Sequence, residues 1–127
     1  MNNKLYTIGC KIVNRKTKEV VDGLFVMGSL GLPHVHSSGL KCQQGDTIYL
    51  IEGADNAKKL VQYFAKAYKS EFKTTVKRTG MGMENFKFYP LKITNPLISN
   101  YYTIDVEKKK ESKAKLDGIY YAPILNK

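Results

Sequence analysis

Only one stretch of this 127-residue chain repeats its apolar residues at helical spacing. Ala57, Leu60, Val61, Phe64, Ala65 and Tyr68 fall at i, i+3, i+4, i+7, i+8 and i+11, which lines one face of an α-helix with apolar side chains. Asp55 stands where a helix cap is expected, so the pattern predicts one amphipathic helix at about 55–69. The other apolar runs either alternate with period two or are short and rich in β-branched and aromatic residues, as strands are. A lone helix of this kind must bury its stripe against a sheet.

The alternating runs supply that sheet. Leu5 to Val13 sets Tyr6, Ile8, Cys10 and Ile12 on one side and Thr7, Gly9 and Lys11 on the other. The basic turn Asn14-Arg15-Lys16-Thr17-Lys18 leads into Glu19 to Met27, which predicts a hairpin, and Thr47 to Glu52 reads as a central strand. Glu71 to Arg78 alternates again, with Phe72, Thr74 and Val76 opposite Lys73, Thr75 and Lys77, and predicts a fourth strand. The turn Thr79-Gly80-Met81-Gly82-Met83-Glu84-Asn85 joins it in a hairpin to Phe86–Ile93, where Pro90 demands an edge, a bulge or a break. Thr94 to Asn100 contains Asn95-Pro96 and reads as a turn, Tyr101–Val106 reads as a further strand, and Ile119–Leu125 as another strand or a docked tail. Two segments fit no regular element: the glycine-rich 28–45, read as a long loop, and the charged 107–117, read as solvated and mobile.

This order predicts an α+β fold with a small, mostly antiparallel curled sheet or OB-like barrel, β-β-β-α-β-β plus C-terminal strands, because short hairpin connections cannot make parallel crossovers. Over residues 5–93 the order is similar to that of OB-fold domains, in which a helix sits between the third and fourth of five strands. The segment Gln44-Gly45-Asp46-Thr47-Ile48-Tyr49-Leu50-Ile51-Glu52-Gly53 resembles the third-strand segment of some single-stranded-DNA-binding members. What that resemblance implies is closure of the sheet into a barrel and a nucleic-acid ligand. A sandwich with the helix covering one face of a meander is the alternative. The length fits one domain, 1–127.

Charge narrows the partners. The chain carries 21 Lys+Arg against 11 Asp+Glu, a net charge of +10 and a pI of about 9.6, which favours polyanions and excludes acidic mimicry of DNA. The excess lies late: residues 1–53 carry +2 and residues 54–127 carry +8. Binding nucleic acid without reading its sequence requires cations that displace phosphate counterions and rings on which bases stack. Lys73, Lys77 and Arg78 precede the glycine turn, and Lys87 and Tyr89 follow it on the side of their strand opposite Phe86 and Phe88. On the polar side of the helix, Lys58, Lys59, Gln62, Tyr63, Lys66 and Lys69 stand with no carboxylate among them, and the lysines there offer a second phosphate surface. The competing reading packs Tyr89 into a second core layer and leaves the lysines to keep the protein soluble.

No other motif names a reaction. The Thr79–Met83 turn lacks the Gly-Lys-Ser/Thr of a phosphate-binding loop, and its two methionines suit a deformable contact surface. His34-x-His36 with Cys42 and Asp46 downstream offers zinc-type ligands but no second paired motif, so neither a metal nor another cofactor is expected. The same histidines, with Lys41 or Arg78 stabilising a phosphate, would serve a ribonuclease. Cys10 and Cys42 are expected as free thiols, Cys10 in the core and Cys42 in a polar loop. With no signal-like or membrane-spanning run, the expected location is the cytoplasm. The leading expectation is a non-enzymatic protein that binds single-stranded DNA or RNA. The alternative is a protein-interaction module or inhibitor, of the kind a mobile element encodes, that docks on an acidic or nucleic-acid-binding partner surface.

Overall fold

The computed structural model describes residues 4–14, 17–29, 33–37, 40–78, 84–111 and 118–127, with side chains at all of these except 14, 33, 34, 67–78 and 84–86. Along the chain run β1 (Leu5–Asn14), β2 (Val20–Met27), β3 (Pro33–Ser37), β4 (Thr47–Glu52), α1 (Ala54–Arg78), β5 (Glu84–Lys92), α2 (Pro96–Ser99), β6 (Tyr102–Ile104), β7 (Lys110–Glu111) and β8 (Ile119–Asn126), with a 3-10 turn at Val106–Lys108. The fold is α+β, as expected: a curled, eight-stranded antiparallel sheet and one main helix.

β1 is the hub. One of its edges pairs with β5 from Tyr6↔Lys92 to Asn14↔Glu84. Its other edge is shared end to end by β2, over Gly9↔Leu24 to Val13↔Val20, and by β4, through Leu5↔Glu52 and Tyr6↔Ile51. Met27↔Thr47 joins β2 to β4 at the corner, which forces the sheet to curl. β3 lies outside β2, and β8 extends β4 and carries β6 and β7 on its far side.

Strand alternation sorts the side chains into two layers. Tyr6, Ile8 and Cys10 of β1, Phe25, Tyr49, Ile51 and Ile119 face α1, whose Ala57, Leu60 and Phe64 are fully buried against them. Rings dominate this layer: Phe64 lies 5.4 Å from Phe25, 5.1 Å from Tyr49 and 5.7 Å from Phe88, centroid to centroid, at tilted or edge-on angles that suit aromatic quadrupoles. On the opposite face Leu24, Val26, Ile48 and Leu91 pack with Ile98, Tyr102 and Ile124 from the C-terminal elements, so that the last third of the chain seals the second layer. Burying a side chain of this size contributes about 1.5–3 kcal/mol.

Gly53 turns β4 into α1 with φ +88°, a left-handed conformation that glycine adopts without Cβ strain. Its N–H donates to Lys4 O at 2.9 Å. Asp55 lies inside the first turn of α1 instead of capping it, where its charge still meets the positive end of the helix dipole. Ala65, expected on the apolar stripe, is exposed.

The helix corrects the sequence reading at its other end. The strand predicted over Glu71–Arg78 does not exist; α1 continues through it to Arg78, and the expected hairpin partner Phe86–Ile93 pairs with β1. Between Gly53 and Gly80 the chain has neither glycine nor proline, and adding a residue to a formed helix is easier than nucleating a new element, so the local alternation of Phe72, Thr74 and Val76 is overridden. The glycine-rich segment holds β3, an edge strand whose first residue is a proline that has no ladder hydrogen bond to lose. The Asn95-Pro96 turn is the start of α2: Asn95 Oδ1 accepts from Leu97 N at 2.9 Å, and Pro96 stands in the first turn. Within the charged segment 107–117, the 3-10 turn and β7 account for residues up to Glu111, and 112–117 lie outside the described residues, as do Arg15, Lys16 and the 79–83 part of the glycine turn.

Candidate nucleic-acid interface

Seven of the basic residues fall within α1 against two carboxylates, Asp55 and Glu71, so this one element carries +5. Lys59, Tyr63, Lys66, Lys73 and Lys77 occupy positions i, i+4, i+7, i+14 and i+18, which a helix collects into one row within about 80° of arc and about 27 Å long. Lys58 and Arg78 stand off the row. Because α1 is continuous to Arg78, the row joins two candidate surfaces that the sequence assigned to separate elements. Lys58, Lys59 and Lys66 are exposed, and no ion pair engages them among the described residues. Tyr63 leaves 56% of its surface open, the largest exposure of any large apolar side chain described, while its ring rests 5.9 Å from that of Phe64. A ring held from behind by a core phenylalanine presents a stacking face with little freedom left to lose. The side chains of Lys73, Lys77 and Arg78 lie outside the described residues, and these three enter through their register positions alone.

Lys87 and Tyr89 do not join this row. They lie on the face of the sheet opposite the one that α1 covers. Lys87 is exposed, next to Lys11 in the ladder, and Lys11 in turn faces Asp22 of β2. Tyr89 packs against the second layer, and its hydroxyl donates to Asp22 Oδ1. Burial first, then the hydrogen bond to Asp22 and its charge, push the phenol above its ordinary range. Its ring also covers Gly9, where a Cβ would sit 2.8 Å from Tyr89 Oη and closer still to the ring carbons. Tyr89 is therefore the second-layer tyrosine of the competing reading, with a carboxylate at its tip that repels phosphate.

Of the two histidines, only His36 has a described side chain. His36 of β3 is 8% exposed, with Cys42 Sγ 4.0 Å from its Nδ1 and Asp46 Oδ2 3.8 Å from its Nε2. The three groups lie in series instead of converging on a point, and among the described residues no three ligand side chains are placed to hold an ion. The side chain of His34 lies outside the described residues. Cys42 lies in a loop, as expected, but is half-buried there; its partners come from β3 and from a residue 84 positions later in the chain, a distance that no local pattern reveals.

No family model, curated protein or solved structure matches this chain. Among the described residues no helix is long and apolar enough to cross a membrane.

Proposed function

We propose that the protein binds single-stranded nucleic acid along the outer row of α1, in the cytoplasm, where a reducing environment suits the free thiols Cys10 and Cys42. The observation that carries the reading is the alignment of Lys59, Lys66, Lys73 and Lys77 with the half-open ring of Tyr63 on one helix of net charge +5. Lysines contact phosphates without regard to sequence, and the tyrosine stacks on any base, so the binding is sequence-tolerant. Tyr89 is no part of the surface, and Lys87 adds only to the general field.

Fluorescence anisotropy with a labelled oligothymidine tests this. Binding is expected at about 50 mM salt and weakened at about 200 mM, with a slope of about −3 in log K against log salt if four phosphates are neutralised. Reversing Lys59, Lys66, Lys73 and Lys77 together to glutamate should weaken binding on the order of a hundredfold and flatten that slope, whereas reversing Lys108, Lys109 and Lys110 should leave both near the parent values. Absence of binding at the lower salt would end the proposal and leave an acidic protein surface as the remaining partner class.

A further inference from the structure

Cys42 sits in a segment held from three sides. Its N–H donates to Asn126 Oδ1 at 2.8 Å, and its carbonyl accepts from Asn126 Nδ2 at 3.1 Å. Tyr102 Oη donates to Leu40 O at 2.7 Å, and Gln43 N donates to Asp46 Oδ2 at 2.9 Å. Asp46 is 4% exposed, so its carboxylate is fixed beside the histidine with little competing water. A carboxylate 3.8 Å from Nε2 favours the tautomer with hydrogen on Nε2, which turns the Nδ1 lone pair toward the Cys42 thiol at 4.0 Å. This is the order nucleophile, base, orienting carboxylate, at the looser spacing usual when no reactant is bound.

We propose that Cys42 is a reversible thiol-modification site for low-molecular-weight disulfides, with His36 as its proton acceptor and Asp46 as the residue that positions His36. In the reaction the Sγ–H proton passes to His36 Nδ1 as Sγ attacks one sulfur of R–S–S–R. A new Sγ–S bond forms and the old S–S bond breaks. The leaving sulfur takes the electron pair, recovers the proton from His36 and departs as R–SH. Cys42 is thereby oxidised to the disulfide level, the reagent supplies the oxidising equivalent, and excess thiol reverses the step.

Burial, followed by the charge of Asp46, pushes the Cys42 thiol up to about 11, so free thiolate is scarce at neutral pH. That makes the two routes separable. Among the described residues, the titratable groups facing the thiol are His36 from β3 and Asp46 from the turn before β4; β8 brings the uncharged Asn126, and β6 brings the Tyr102 phenol. A thiol that must ionise alone reacts tenfold faster with each pH unit up to about 11. A thiol that hands its proton to a neutral histidine reacts at a nearly constant rate for as long as the histidine stays neutral and the thiol protonated, because the reactive pair keeps one protonation state throughout that window.

The test follows reaction of the full-length native protein with dithiodipyridine. The expected result is one modified thiol per chain, mapped to Cys42, with a flat rate across that window; Cys10, fully buried with its thiol pushed up to about 12, reacts only after denaturation. His36→Asn should restore the tenfold-per-unit rise and slow the reaction at pH 7 by at least about tenfold. Asp46→Asn, which keeps an oxygen for Gln43 N, should move both edges of the plateau to lower pH, a change that loss of packing alone would not produce. A tenfold-per-unit rise in the parent protein, no native reaction, or first labelling at Cys10 overturns the proposal. If His36→Asn unfolds, both thiols react, and the parent pH profile decides by itself.

Discussion

The outer face of α1 and the β1–β5 face of the sheet carry the same ingredients, lysines beside a tyrosine, and come to opposite ends. On α1 the row is four lysines and Tyr63, and among the described residues no ion pair engages its lysines. On the sheet, antiparallel pairing sets Asp22 across from Lys11, one position away from Lys87, and Tyr89 turns its hydroxyl to that carboxylate. A helix presents neighbours from its own sequence, whereas a strand acquires them from elsewhere in the chain. A charge count taken along the sequence therefore survives folding on the helix and is cancelled on the sheet.

Filling the space under Tyr89 should have the largest effect. Gly9→Val drives a side chain into the ring and should cost about 3 kcal/mol in chemical denaturation, with Tyr89→Ala in the same protein recovering part of it; no recovery would show that Tyr89 is not the packed ring described. On the other region, Tyr63→Ala should change stability by less than about 0.5 kcal/mol and weaken oligonucleotide binding by about tenfold. The reverse pattern, a fold that fails while binding persists, would make the two tyrosines alike and dissolve the contrast. Next in size is Thr7, on the Tyr89 side of β1, whose hydroxyl is fully buried without a hydrogen-bond partner among the described residues. Thr7→Val should stabilise by about 1 kcal/mol, read from the denaturation midpoint.

A further effect is confined to alkaline pH. Folding raises Cys10 from 9.0 to about 12 and Cys42 from 9.0 to about 11, so the unfolded chain releases these protons first. Stability attached to the two thiols is complete below pH 9 and is lost as pH rises through 9 to about 12. Tyr89, also raised, adds to the loss above pH 10. Melting of Cys10→Ala should fall less steeply over that range than melting of the parent.

What the sequence made legible follows the range of the forces involved. β1 was readable from its alternation, and β2 and β4 from short apolar runs rich in β-branched and aromatic residues, because both are local signals. The start of α1 was readable from Ala57, Leu60 and Phe64, which are its core contacts. Its end was not: Phe72, Thr74 and Val76 alternate as a strand would, and only the absence of a breaker before Gly80 argued for continuation. β3 hid among glycines because an edge strand of five residues needs only its ladder with β2. Of the candidate interface, Lys58, Lys59, Tyr63 and Lys66 were placed correctly on the polar side of the helix, and Tyr89 could be separated from them only by knowing which strand stands next to β5. The Cys42–His36–Asp46 series was visible as residue types but not as a sequence of contacts.

The clasp of Asn126 and Tyr102 on Leu40–Cys42 also orders events in time. Those bonds bridge 84 and 62 positions, so the surroundings of the thiol form only when the closing strands of the chain have docked. A nascent or partly folded molecule carries Cys42 without its histidine relay, and the chemistry of that sulfur becomes a reporter of whether the molecule is finished.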